Sequence, residues 1–357
     1  MSFIKYSRLV FTLLALGLIA WGIAVWCDLA YYPLLKQPSP LLITMPPGTG
    51  IRYLSHQLQD AHLLRYPRVF IFLARIRGDA PRLKAGEYLI TPSMTAMDLL
   101  SIIATGKVMQ HAIVFIEGWT FAQCKAALQD NGHLTHTLDN QNDVEIMSQL
   151  GHPGQSPEGL FFPDTYFFSR EDTDISILKR AYQRMQEVLL QQWTKRETGL
   201  PYDTPYQALI VASLIEKETA LAEERPLIAG VIRRRLEKGM LLQVDPSVWY
   251  GLRRDYRGPL TKGDLMVDTP YNTYQHHGLP PTPISMPSRA AIVAALHPTA
   301  GEALYYVSRG DGSHQFSVHY ADHQRAVILY KRTHSEEPFY FLHWILGFSR
   351  NVDRPYF

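Results

Sequence analysis

Ala208-Leu209-Ile210-Val211-Ala212-Ser213-Leu214-Ile215-Glu216-Lys217-Glu218-Thr219 is an apolar run that closes on two carboxylates. Thr204 stands where an N-cap would, and Pro205 takes the first helical position, so the spacing predicts a helix over residues 206–219. In that helix Glu218 follows Val211, Leu214 and Ile215 by seven, four and three residues and shares their face. An ionised carboxylate on an apolar face is costly. In a cleft, the same desolvation raises its pKa and makes a proton donor near neutral pH. The run equally describes a frayed helix end with both Glu residues in water. Local pattern leaves the two readings open.

Working outward, helices are expected over residues 175–194 and 226–238, the second begun by Pro226 and stopped by Gly239. Residues 242–287 are rich in Pro, Gly, Tyr and Asn and long for a simple connection, which marks a functional loop. Ala290 to Leu296 reads as a helix, and residues 304–307 and 315–317 as strands paired around Gly310-Asp311-Gly312. Toward the N-terminus lie a strand at 111–116, a helix from Thr120 through Leu128, a polar, poorly patterned stretch at 131–156, and an aromatic turn-rich segment at 158–166.

A smaller module covers residues 43–108. A strand followed by a Gly-rich turn over residues 43–50 precedes Ile51, Leu54, Leu58 and Leu63 at helical spacing, then a helix at 69–76, a strand at 83–90 and a helix at 97–104 stopped by Gly106. The class is α+β.

The chain has 357 residues, enough for two compact domains, with 46% hydrophobic and 19% charged residues. A net charge of +2 and the lack of a dense basic run argue against a nucleic-acid partner. Lys5 and Arg8 precede a charge-free stretch over residues 9–27, long enough to cross a bilayer, with Trp21 and Trp26 toward its far end and Asp28 closing it. This predicts a cytoplasmic stub at 1–8, a transmembrane helix at 9–27, a Pro-containing linker at 28–42 and translocation of the rest. A cleaved signal peptide is the competing reading, but the run is long for one and no small-x-small site follows. Cys27 and Cys124 are too few to staple the fold.

Three clusters could line a groove with the two Glu residues: Gln243-Val244-Asp245-Pro246-Ser247, Tyr271-Asn272-Thr273-Tyr274, and His314 with Phe316. Aromatic faces with amide and hydroxyl groups suit a sugar polymer. His314, His319 and His323 are spaced as a zinc site could be, but a strand followed by a helix start would scatter them, so no metal is expected. G-x-S-x-G, Walker and dinucleotide patterns do not occur, and no cofactor is expected. Carboxylate chemistry remains.

Six motifs stand in order along the chain: Glu158-Gly159 with Pro163-Asp164-Thr165-Tyr166; Ile215-Glu216-Lys217-Glu218-Thr219; Gln243-x-Asp245-Pro246; Pro270-Tyr271-Asn272-Thr273-Tyr274; Gly278-Leu279-Pro280-Pro281; and His314-x-Phe316. In this the chain resembles the MltG (YceG-like) endolytic murein transglycosylases of bacteria, from the anchor to about residue 330. The resemblance implies a LysM-like subdomain at 43–108 that contacts glycan and a periplasmic catalytic domain at 109–335. It implies Glu218 as the catalytic acid/base, Glu216 as its supporting neighbour, and Asp245, Tyr271, Asn272, Thr273, Tyr274 and His314 as binding or supporting residues. The implied partners are peptidoglycan strands, the inner membrane and cell-wall synthases of the penicillin-binding class. A glycan-binding scaffold and a water-using muramidase are the alternatives. The chain departs from the family at Thr282, where Gly is usual, and in an aromatic extension at 336–357.

Overall fold

A computed structural model describes residues 2–252 and 260–333. The expected aromatic extension at 336–357 lies outside the described residues. The chain divides into two compact units.

Unit 1 takes Met1–Ala112 with His133–Thr135 and Phe167–Asp172. It begins with α1 (Ser2–Tyr31), of which Leu9–Tyr31 is long and apolar enough to cross a membrane. Next come β1 (Leu41–Met45), α2 (Ile51–Asp60), α3 (Pro67–Ile76), a 3-10 turn, β2 (Gly86–Ile90) and α4 (Ala96–Thr105). β1 and β2 pair antiparallel with Ile43 opposite Tyr88. Leu54, Leu58, Phe70, Tyr88, Leu99 and Ile103 fill the core behind them. Thr95 and Asp98 form a reciprocal cap on α4, and Gly106 ends that helix at φ 72°, a conformation that favours glycine.

The expected linker is not a free tether. α1 continues past Cys27 to Tyr31, Val25 and Leu29 are buried in the unit 1 core, and the Leu34 amide bonds to the Met94 carbonyl. Apolar side chains at helical spacing on its last turns carry the helix onto the module.

β3 (His111–Val114) and β4 (Thr165–Phe168) pair with each other where the chain passes between the units. Unit 2 contains α5 (Phe121–Gln129), α6 (Asp143–Gln149), α7 (Asp174–Trp193), α8 (Pro205–Glu218), α9 (Arg225–Glu237), α10 (Asp245–Gly251), α11 (Arg289–Leu296), the hairpin β5 (Tyr305–Ser308) and β6 (His314–Ser317), and α12 (Tyr320–Thr333). α8 is the centre: α7, α9, α10 and α11 all pack on it, and every residue from Ala208 to Ile215 is buried.

Two segments differ from expectation. The polar stretch 131–156 holds α6, started by a reciprocal Asn142–Glu145 cap and held by buried Ile146 and Met147. Buried Asp174 ties that stretch to α7 by accepting from the Thr137 and Leu138 amides. Within the loop-rich 242–287, Asp245-Pro246 opens α10, with Pro in the first turn where its missing N–H costs nothing.

Candidate active site

α8 starts as the sequence requires: the Thr204 hydroxyl accepts from the Gln207 amide while the Gln207 side chain reaches back to the Thr204 amide. It stops at Glu218, because Thr219 is extended. Glu218 is buried at the end of the helix where the unpaired carbonyls disfavour a negative charge. Burial, and next the Asp245 carboxylate, push its pKa up to about 8, against smaller opposing effects of Tyr306 and Arg235. The helix end is therefore not a solvated terminus, and the Glu218 carboxyl holds its proton more tightly than an ordinary glutamate.

Glu216, two residues earlier, faces a different environment. One oxygen accepts from the Ser288 amide at 2.9 Å and the Ser288 hydroxyl at 2.5 Å, and the other pairs with Arg225 at 3.3 Å. Because Ser288 is the N-cap of α11, Glu216 places a negative charge where that helix end favours one. It fastens α8 to α9 and α11.

Asp245 opens α10. It is accessible to solvent, yet enough protein surrounds it for desolvation to raise its pKa. The Tyr274 hydroxyl donates to it at 2.5 Å and partly offsets that rise. Asn272 and Thr273 turn inward instead. The Asn272 side-chain Nδ2 donates to the Leu265 and Val267 carbonyls, and Thr273 Oγ1 accepts from the Val244 amide and bonds with Ser247. Both shape the loop that presents Asp245 and Tyr274.

Tyr271 packs edge-to-face on Tyr250 at 4.8 Å, and its hydroxyl bonds with Thr282 at 2.9 Å. Thr282, the departure from the family pattern, thus supplies a side-chain partner that glycine lacks. The Tyr250 hydroxyl donates to buried Glu158, whose other oxygen accepts from the Phe121 amide. Burial raises the Glu158 pKa to about 7 despite these donors. Beside it Gly159 has φ +79°, and a Cβ there would stand 2.4 Å from Pro283 Cβ, so the Glu-Gly pair is fixed by backbone shape and close approach.

His314, at the start of β6, is also buried. Its Nδ1 meets Glu224 at 2.6 Å, its backbone amide donates to the same carboxylate, and Thr219 donates to Glu224 from the other side. Its ring stands edge-on to Tyr306. His314 therefore packs against Tyr306. His323 lies apart on α12, stacked on Tyr305.

Beyond Tyr250, three residues of the site carry no motif in the sequence: Tyr306, Arg235 and Glu224. Tyr306 stands beside Glu218 with its hydroxyl buried and lowers the pKa of that carboxyl. Arg235 is buried and donates to the Leu241, Leu242 and Leu304 carbonyls and to the Gln243 side chain. Glu224 holds His314. A charged residue on an otherwise apolar α9 face was the available signal for Arg235; Tyr306 carried none, being one of two adjacent strand tyrosines.

Unit 2 thus sets a buried carboxyl of raised pKa beside Asp245 and Tyr306, an arrangement capable of acid–base chemistry. The chain belongs to the YceG-like family, whose model matches residues 43–328. An endolytic murein transglycosylase of Bacillus subtilis (strain 168) is 30% identical over 321 residues, 83% of this chain and 86% of that protein. One from Streptococcus pneumoniae (strain R6) is 28% identical over 80% of this chain, which spans 57% of that protein's length. The crystal structure of a YceG-like protein from Listeria monocytogenes superposes with a TM-score of 0.51 at 27% identity, covering 81% of this chain and 99% of that one.

Proposed function

We propose that the chain is a membrane-anchored endolytic peptidoglycan lytic transglycosylase with Glu218 as acid and then base. The observation that carries the reading is the buried Glu218 carboxyl, whose pKa is raised to about 8 at the end of α8. Glu218 gives its proton to the glycosidic oxygen between N-acetylmuramic acid and N-acetylglucosamine. The C1–O bond breaks, leaving an oxocarbenium-like centre at C1 and a free hydroxyl on the departing sugar. The Glu218 carboxylate then takes the proton of the C6 hydroxyl on N-acetylmuramic acid as that oxygen closes onto C1. The product is a 1,6-anhydro end; no water is consumed, and the acid is regenerated.

The Tyr250–Tyr271 pair, Tyr274 and Asp245 supply aromatic and hydrogen-bonding surface suited to sugars. α1 is assigned as a single-pass inner-membrane anchor with both units in the periplasm. The β1-α2-α3-β2 arrangement is assigned as a LysM-like glycan-contacting module, and cell-wall synthases as partners.

Asp245, close enough to act on Glu218, favours a second reading in which a carboxylate activates water. Mass spectrometry of peptidoglycan digested by the purified protein separates the readings. Anhydro-muropeptides support the transglycosylase, reducing ends the muramidase, and no soluble products a binding scaffold.

A further inference from the structure

Unit 1 grips the membrane helix inside its apolar span. Leu9–Tyr31 is 23 residues, about 35 Å at 1.5 Å per residue, against roughly 30 Å of hydrocarbon. About twenty residues from Leu9 bring the hydrocarbon boundary near Asp28, which pairs with Arg65 at 3.9 Å. Trp21 comes seven residues before Asp28, about 10 Å deeper along the helix. The Tyr66 ring stands edge-on to Trp21 at 6.4 Å, and Val25 and Leu29 are buried in the unit 1 core. Tyr66 is the N-cap of α3. The first turn of α3 is therefore held beside the Trp21–Asp28 segment of the helix, within about 10 Å of that boundary.

α3 has two faces. Phe70 and Ala74 enter the core. Arg68, Phe72, Arg75 and Ile76 form one exposed outward stripe, with Phe72 60% and Ile76 67% exposed. Their spacing of four, seven and eight residues puts them on a single side. The helix contains no acidic residue, and among the described residues neither Arg68 nor Arg75 forms an ion pair. Large apolar side chains flanked by arginines, with no acid among them, are the composition of helices that lie in the headgroup region of anionic membranes.

We propose that α3 seats unit 1 on the bilayer, burying Phe72 and Ile76 at the acyl boundary and setting Arg68 and Arg75 on the phosphates of anionic lipids. The proposal rests on the assignment of α1 as an anchor. It makes the membrane helix and α3 one footing, so unit 1 does not swing on a tether.

The test uses the full chain carrying Cys27→Ser, reconstituted in phosphatidylcholine vesicles with or without phosphatidylglycerol. Cys124 is buried and stays. An environment-sensitive fluorophore is placed by single substitutions Phe72→Cys, Ile76→Cys, Leu16→Cys in α1, and Val144→Cys on exposed α6. Labels at 72 and 76 are expected to be quenched by spin-labelled lipid and shielded several-fold from aqueous iodide relative to 144. Iodide access at 72 equal to that at 144, with the Leu16 label quenched by lipid, overturns the proposal while leaving the anchor intact. A Leu16 label open to iodide overturns the anchor and this proposal with it. Adding Arg68→Glu and Arg75→Glu is expected to return the Phe72 label toward water in phosphatidylglycerol vesicles. No response to those changes or to phosphatidylglycerol overturns the role given to the arginines.

Discussion

The two sides of the last turn of α8 carry the same side chain to opposite ends. Glu216 and Glu218 are both removed from solvent, so burial does not distinguish them. Hydrogen-bond donors do. Glu216 is met by a serine amide, a serine hydroxyl and a guanidinium, groups that stabilise the charged form. Glu218 is met by a carboxylate and a single tyrosine hydroxyl, and its helix end repels charge. A carboxyl becomes a fastening or an acid according to what surrounds its oxygens.

The contrast breaks most visibly at Glu218. Glu218→Gln is expected to lower the rate of muropeptide release about 10²–10⁴-fold, with a thermal midpoint at least as high as that of the parent at neutral pH. A variant that retains parental activity assigns the acid elsewhere. Glu216→Ala should do the reverse. It strands Arg225 and removes the acceptor of the Ser288 amide and hydroxyl, costing about 3–5 kcal/mol in chemical denaturation, with activity recovered in the fraction that remains folded.

Smaller changes sharpen the acid side. The general acid works protonated, so the rate should fall as pH rises through about 8. Tyr306→Phe removes an influence that lowers the Glu218 pKa and should move that alkaline limb upward. Asp245→Asn removes the charge that raises it and should move the limb downward. The folded pKa is raised above the ordinary carboxyl value of 4.5, so the stabilising contribution is full below 4.5 and lost as pH rises through about 8. Denaturation of Glu218→Gln should lose that slope, at most about 1.4 kcal/mol per pH unit. The smallest effect is at the far end of the helix: Thr204→Ala removes the cap and should cost about 1 kcal/mol without moving the pH profile.

Much of this was legible because it is local. The cap at Thr204, Pro205 and the apolar face of residues 208–215 define α8 within one window, and Glu218 follows by spacing. The asymmetry between Glu216 and Glu218 was not local. It depends on Ser288 and Tyr306, which lie 72 and 88 residues beyond those two carboxylates. α6 went unseen because only Ile146 and Met147 of its short length are buried, too few to set a period. The family motifs reached Asn272 and Thr273 without indicating that both turn inward, since recurrence in a motif does not separate loop architecture from ligand contact.

Arg235 has a consequence for how such a site can change. Its four anchor points include Gln243, two residues before Asp245, and Leu304, two residues before Tyr306. The neighbour that makes Glu218 hold its proton more tightly and the neighbour that loosens it thus hang from one cation. Substitution at Arg235 would release both at once, whereas Asp245 and Tyr306 can each be altered singly. The site is built like a balance, with separate pans and a common beam.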